Sequence, residues 1–126
     1  MRGLANRILG RAGLELRRKS PNRAGAKPRA SLQANGERCG RVLISYIPDD
    51  ILADEADVCP DHTHFWECRQ MAVTYANAGF DVDVVQFDDT TVRPDKEYDI
   101  LISARTDLER LSRFMPDQCL TIAHLD

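Results

Sequence analysis

Residues 62–87 read HTHFWECRQMAVTYANAGFDVDVVQF, a helix, a glycine stop and a hydrophobic strand in succession. At 100° per residue, Phe65, Cys68, Met71, Ala72, Tyr75 and Ala76 gather on one face of the helix. Glu67, Gln70, Thr74 and Asn77 fall on the other face, and Trp66 and Val73 share a stripe off the main apolar face. Gly79 follows the last helical turn, where a positive φ is cheap only for glycine. Val82, Val84 and Val85 then form a β-branched run closing at Phe87. Helix, glycine, strand is half of a βαβ unit.

The flanks supply the other half. Residues 41–46 (RVLISY) read as a short buried strand before the helix. Residues 98–103 (YDILIS) and 119–123 (CLTIA) read as a third and a fourth strand, with a short helix over 107–114 between them. Residues 88–97 form a polar connection containing Pro94. Alternating strands and helices predict an α/β fold, a Rossmann-like parallel sheet of about four strands joined by right-handed crossovers. With so few helices, one face of the sheet is expected to be thinly covered, and the chain reads as a fragment of a longer product.

The 126 residues hold one small domain, and the net charge of −3 conceals a split. Residues 1–41 carry eleven Lys/Arg and two Glu, whereas residues 42–126 carry six Lys/Arg and eighteen Asp/Glu. Leu4, Ala5, Ile8, Leu9, Ala12 and Leu16 lie within half of a helical wheel, opposite Arg7, Arg11 and Arg18. Three readings of residues 1–19 stay open: an amphipathic helix on an anionic membrane, an organelle presequence, and an extension without fixed structure. Residues 20–40, poor in large apolar groups, read as a flexible linker. No aromatics interleave with the arginines, which argues against nucleic-acid binding. Four cysteines without C-x-x-C spacing, and no apolar run of membrane length, point to reduced thiols and a cytoplasmic chain.

In open parallel sheets, ligands bind outside the carboxyl ends of the strands. That rule gathers the loop of residues 47–61, with its six acids, then Asp88 and Asp89, Arg105 and Thr106, and His124 and Asp126. The helix start, with His62, Thr63 and His64, reaches the same rim and turns backbone N–H groups toward it. Asp88 and Asp89 stand where a dinucleotide fold places its ribose-binding acid but read more as a solvated turn, Arg105 as a counter-charge or a phosphate contact, and His124 as structural or catalytic. No G-x-G-x-x-G or G-x-x-x-x-G-K-[ST] is present, which argues against nicotinamide cofactors and P-loop chemistry. Cys59, His62, His64 and Cys68 have zinc-ligand chemistry but lack paired knuckles, so a small zinc domain is the weakest reading.

The helix with its "A…A..G" ending, WECRQMAVTYANAG, between RVLISY and FDVDVVQF resembles the opening of bacterial GT-B glycosyltransferases, which use nucleotide sugars. The resemblance covers residues 41–126 and includes H-T-x-[FY]-W-E before the helix. It implies the acceptor-side domain of a two-domain enzyme, moving a sugar from a nucleotide-sugar donor to a glycan or lipid hydroxyl with no cofactor and no obligatory metal. His64 and His124 are then the catalytic candidates, as base or hydrogen-bond donor. Thr63, His62, Asp88, Arg105 and Asp126 are the substrate-binding candidates. Many members of this group carry a glycine pair where this chain has His62, Thr63 and His64, and members end a strand with His and Asp close together where Leu125 here separates His124 from Asp126. The donor-binding C-terminal domain is the expected partner, without which the chain is expected to be inactive. A peripheral contact with the inner face of a membrane, through the basic N-terminus, is a further expectation. The rival reading is a non-catalytic Rossmann-like interaction module.

Overall fold

The structure, a computed structural model, describes residues 27–53, 63–104 and 107–125. In chain order the elements are β1 (Arg29–Leu32), β2 (Gly40–Tyr46), α1 (Thr63–Asn77), β3 (Phe80–Gln86), β4 (Ile100–Ser103), α2 (Leu108–Ser112) and β5 (Leu120–Ala123). They build one five-stranded sheet in the order β1-β3-β2-β4-β5. β2 pairs in parallel with both β3 and β4, and β4 pairs in parallel with β5. The chain is thus α/β, and the four strands expected from sequence are present.

The expectation of a purely parallel sheet is corrected at one edge. β1 runs antiparallel to β3, with Ala30 beside Val84 and Leu32 beside Val82. It lies within the segment read as linker. Only Ala30 and Leu32 turn toward the core, too little apolar area to register as periodicity. Polar bonds supply the rest of its attachment. Ser31 Oγ donates to Asp83 at 2.5 Å, and the Ala34 and Asn35 backbone N–H groups reach Asp81 and the Ala76 carbonyl at 2.8 Å each.

Period-two alternation along β2 sorts the core into two layers. Val42, Ile44 and Tyr46 share one face with Val82, Val84 and Ile102, under Cys68, Ala72 and Ala76 of α1. The small alanines let the helix backbone lie close to the sheet. At its C-terminus Gly79 takes φ 103°, as its position required, and a Cβ there would lie 3.1 Å from Cys39 Sγ. Leu43, Val85 and Leu101 point to the opposite face, where Leu111 of α2 meets Val92 and Tyr98 from the polar connection. A five-residue helix and a coil therefore cover the face expected to be thin. The two helices lie on opposite faces because the chain leaves central β2 toward β3 but leaves β4 toward β5, and both crossovers keep one hand.

Asp83 stands on the α2 face among apolar neighbours. Burial pushes its carboxyl up, but Ser31, Tyr98 (2.5 Å) and Lys96 (3.0 Å) outweigh it and hold Asp83 below the ordinary aspartate range. A carboxyl depressed in the folded state stabilises above its unfolded pKa, and that contribution is lost as pH falls through the folded value. Tyr98→Phe is expected to cost about 1.5–3 kcal/mol at neutral pH, the range for a bond to a charged group. Urea unfolding should show the difference from wild type narrowing below the ordinary aspartate range. A difference independent of pH would mean that the phenol does not act through the carboxylate charge.

Candidate functional site

The carboxyl ends of β2, β4 and β5 and the first turns of α1 converge on Tyr46. This last residue of β2 is fully buried, because the even register that turns Val42 and Ile44 toward α1 turns its ring the same way. Its hydroxyl lies 2.6 Å from Glu67 Oε1 and 3.0 Å from His64 Nδ1. Glu67 and His64, three residues apart on α1, share a side of the helix at that end. His124 arrives from the far side, directly after β5, fixed by its backbone N–H on the Ser103 carbonyl at 2.8 Å. Its ring centroid is 5.6 Å from that of Tyr46, and its Nε2 is 3.3 Å from Glu67 Oε1.

Proton counting orders this cluster. A phenol has one proton, and an ionised carboxylate only accepts. With Tyr46 donating to Glu67, the His64 Nδ1 must donate to the phenol oxygen, which leaves the lone pair of a neutral ring on Nε2. The Tyr46 hydroxyl holds the Glu67 carboxyl below the usual glutamate range; burial opposes this, and the His124 and His64 rings add to the lowering. Among the described residues, buried His124 Nε2 has no partner in hydrogen-bond geometry, although Glu67 lies within ion-pair distance. The result is a fixed anion between a phenol and two imidazoles, able to stabilise an imidazolium and to present donors and an acceptor to a hydroxyl-bearing ligand.

A second polar group occupies the α2 side of the same rim. Asp89 is only 2% exposed; its carboxylate accepts from the Thr91 backbone at 3.0 Å and the Thr91 hydroxyl at 2.6 Å, with Arg29 at 3.5 Å. Asp107 is bound by Arg110 at 2.9 Å and faces Ser45 Oγ at 3.4 Å. Arg110 also donates to the Val92 and Asp89 carbonyls at 2.9 and 3.1 Å. These groups satisfy one another and tie the residue 89–92 turn to α2. Burial pushes the Asp89 carboxyl up, but its bonds to Thr91 and the Arg29 charge outweigh that and hold it low.

Of the residues singled out in sequence, His64 and His124 are brought together. Thr63 opens α1 and is exposed. Asp88 is exposed toward the β1 edge, 3.5 Å from Lys27, apart from the histidine cluster. His62, Arg105 and Asp126 lie outside the described residues, as does Cys59 of the zinc reading. Cys68 is fully buried in the α1 core, where burial pushes its thiol up to about 12, an environment that disfavours the thiolate zinc requires. Tyr46 and Glu67 were not anticipated. Tyr46 read as the end of an apolar strand, and Glu67 as solvated helix surface; the only signal was the H-x-x-E spacing of His64 and Glu67.

Tyr46→Phe removes the donor that depresses Glu67. A carboxylate NMR titration should place Glu67 below the ordinary glutamate range in the wild type and shift it upward in the variant. An unmoved midpoint would exclude the hydroxyl as the cause. Comparison of the chain with protein-family models, curated proteins and solved structures finds no match.

Proposed function

We propose that the chain is the acceptor-side, Rossmann-like half of a glycosyltransferase of the GT-B type. It would move a sugar from a nucleotide-sugar donor to a hydroxyl of a glycan or lipid. One observation carries this reading: His64 and His124, remote in sequence, meet Tyr46 and Glu67 at the carboxyl end of the sheet.

In this reading the acceptor oxygen attacks the anomeric carbon, a C–O bond forms, and the bond to the nucleotide diphosphate breaks. The acceptor proton passes to the His64 imidazole, which the Tyr46 hydroxyl orients through Nδ1. Ionised Glu67 stabilises the charge that develops on the imidazole. His124 donates to an acceptor oxygen. Thr63, at the start of α1, is placed to meet a phosphate or hydroxyl. Residues of this chain build one wall of such a cleft, and the donor would be held by a second domain.

The test is ligand-observed NMR with a panel of oligosaccharides and nucleotide sugars against the intact chain. Acceptor saccharides should bind weakly, and His64→Ala and His124→Ala should each weaken binding about tenfold, the cost of one hydrogen-bonding partner. Circular dichroism should stay unchanged. Saccharides that do not bind, or that bind equally to both variants, would sink the proposal. The outer edge of β5, where Leu120 is 57% exposed, favours a second reading as an interaction module. Partner-induced NMR shifts on β5 that leave His64 and His124 unmoved would select it.

A further inference from the structure

Glu67 differs from the carboxylates that the rim holds in ion pairs. Asp88, Asp89 and Asp107 stand 3.5, 3.5 and 2.9 Å from Lys27, Arg29 and Arg110. Glu67 has no Lys or Arg partner among the described residues. The Tyr46 hydroxyl bonds it at 2.6 Å and His124 Nε2 stands at 3.3 Å, both at the same oxygen, Oε1. No described residue bonds to Oε2. Arg69, two residues further along α1, donates to the Ala53 carbonyl at 3.1 Å. Burial raises the Cys68 thiol, and the charges of Glu67 and Asp49 add to the rise, which places both carboxylates around the first turns of α1. The Glu67 side chain is 40% exposed, so a ligand can reach it.

A carboxylate with one oxygen open and no fixed cation is complementary to a cation that arrives with the ligand. The Tyr46 hydroxyl holds Glu67 and His64 side by side, at 2.6 and 3.0 Å. A ligand with a hydroxyl and an ammonium group on neighbouring carbons matches that pair. We infer that the acceptor is an amino sugar with a free ammonium group next to its reacting hydroxyl, and that Glu67 is the residue that selects it. The inference rests on the reading above, since it takes the Tyr46 cluster as the acceptor site. The ammonium donates to Glu67 Oε2, and the adjacent hydroxyl lies against the His64 imidazole. An N-acetylated sugar has lost the charge and brings a bulkier group to the carboxylate, and a neutral sugar offers only a hydroxyl there.

The test compares the β-linked dimers of glucosamine, N-acetylglucosamine and glucose by ligand-observed NMR with the intact chain at neutral pH. The glucosamine dimer should bind about tenfold tighter than the other two, the lower end of the range for a hydrogen bond to a charged group, because Glu67 is partly exposed. Added salt should narrow the difference. Glu67→Gln, which keeps an acceptor for the Tyr46 hydroxyl, should remove the preference while its circular dichroism stays that of the wild type. Should that variant lose its fold, the acetylated dimer and the salt dependence decide the matter in the wild type. Equal binding of the three dimers, or tighter binding of the acetylated one, overturns the inference and leaves the acceptor reading in place. A preference for the amine that survives Glu67→Gln traces to the acidic domain as a whole and overturns it as well. So does a preference unmoved by salt. Absence of binding by any dimer removes the acceptor reading together with the inference.

Discussion

Parallel pairing of β2 with β3 on one side and β4 on the other is the constraint from which the remaining geometry follows. A central parallel strand has no solvent face, so its side chains must be covered in both directions. Val42, Ile44 and Tyr46 are covered by α1, and Leu43 by α2 with the Val92 and Tyr98 connection. The same pairing brings the strand ends to one rim, so whatever follows β2, β4 and β5 meets there. At the amino end, close approach is permitted by Gly40, where a Cβ would lie 2.7 Å from Asp99 Oδ2 and 2.9 Å from the Phe80 ring.

The apolar layer was legible because large side chains recur at helical or strand spacing. Cys68, Met71, Ala72, Tyr75 and Ala76 form the covered side of α1, and Gly79 ends it in the left-handed conformation. β1 was hidden because hydrogen bonds to Asp81 and Asp83, not apolar area, hold much of it in place. Polar pairing leaves no periodic trace. The same reason hid half of the rim cluster. His64 and His124 could be named from their places at element ends. Glu67 could not, because its role depends on the Tyr46 phenol arriving from another element. Asp89 and Asp107 illustrate the converse: acids that look available in sequence are occupied by Thr91 and Arg110 in the fold.

The two polar groups of the rim differ in how completely they are paired, and that difference bears on which of them serves a ligand. Around Asp89 and Asp107, each carboxylate meets a hydroxyl or guanidinium, and Arg110 spends its donors on two backbone carbonyls as well. A polar network closed in this way rigidifies the turn it joins and offers little to an incoming molecule. The Tyr46 cluster is organised differently. Glu67 is kept ionised by the phenol, yet the buried Nε2 of His124 meets it only at 3.3 Å and out of hydrogen-bond geometry.

A buried imidazole nitrogen left in that state carries a desolvation cost that a ligand atom or a proton would relieve. Protonation turns the 3.3 Å contact into an ion pair, whereas a hydroxyl placed against the ring supplies the missing hydrogen bond. Either event couples to Tyr46 and from there to His64, because one carboxylate and one phenol stand between the two imidazoles. Among the described residues, the less completely paired polar cluster of the rim therefore lies on the α1 side of the sheet, and the closed network on the α2 side ties down the backbone beside it.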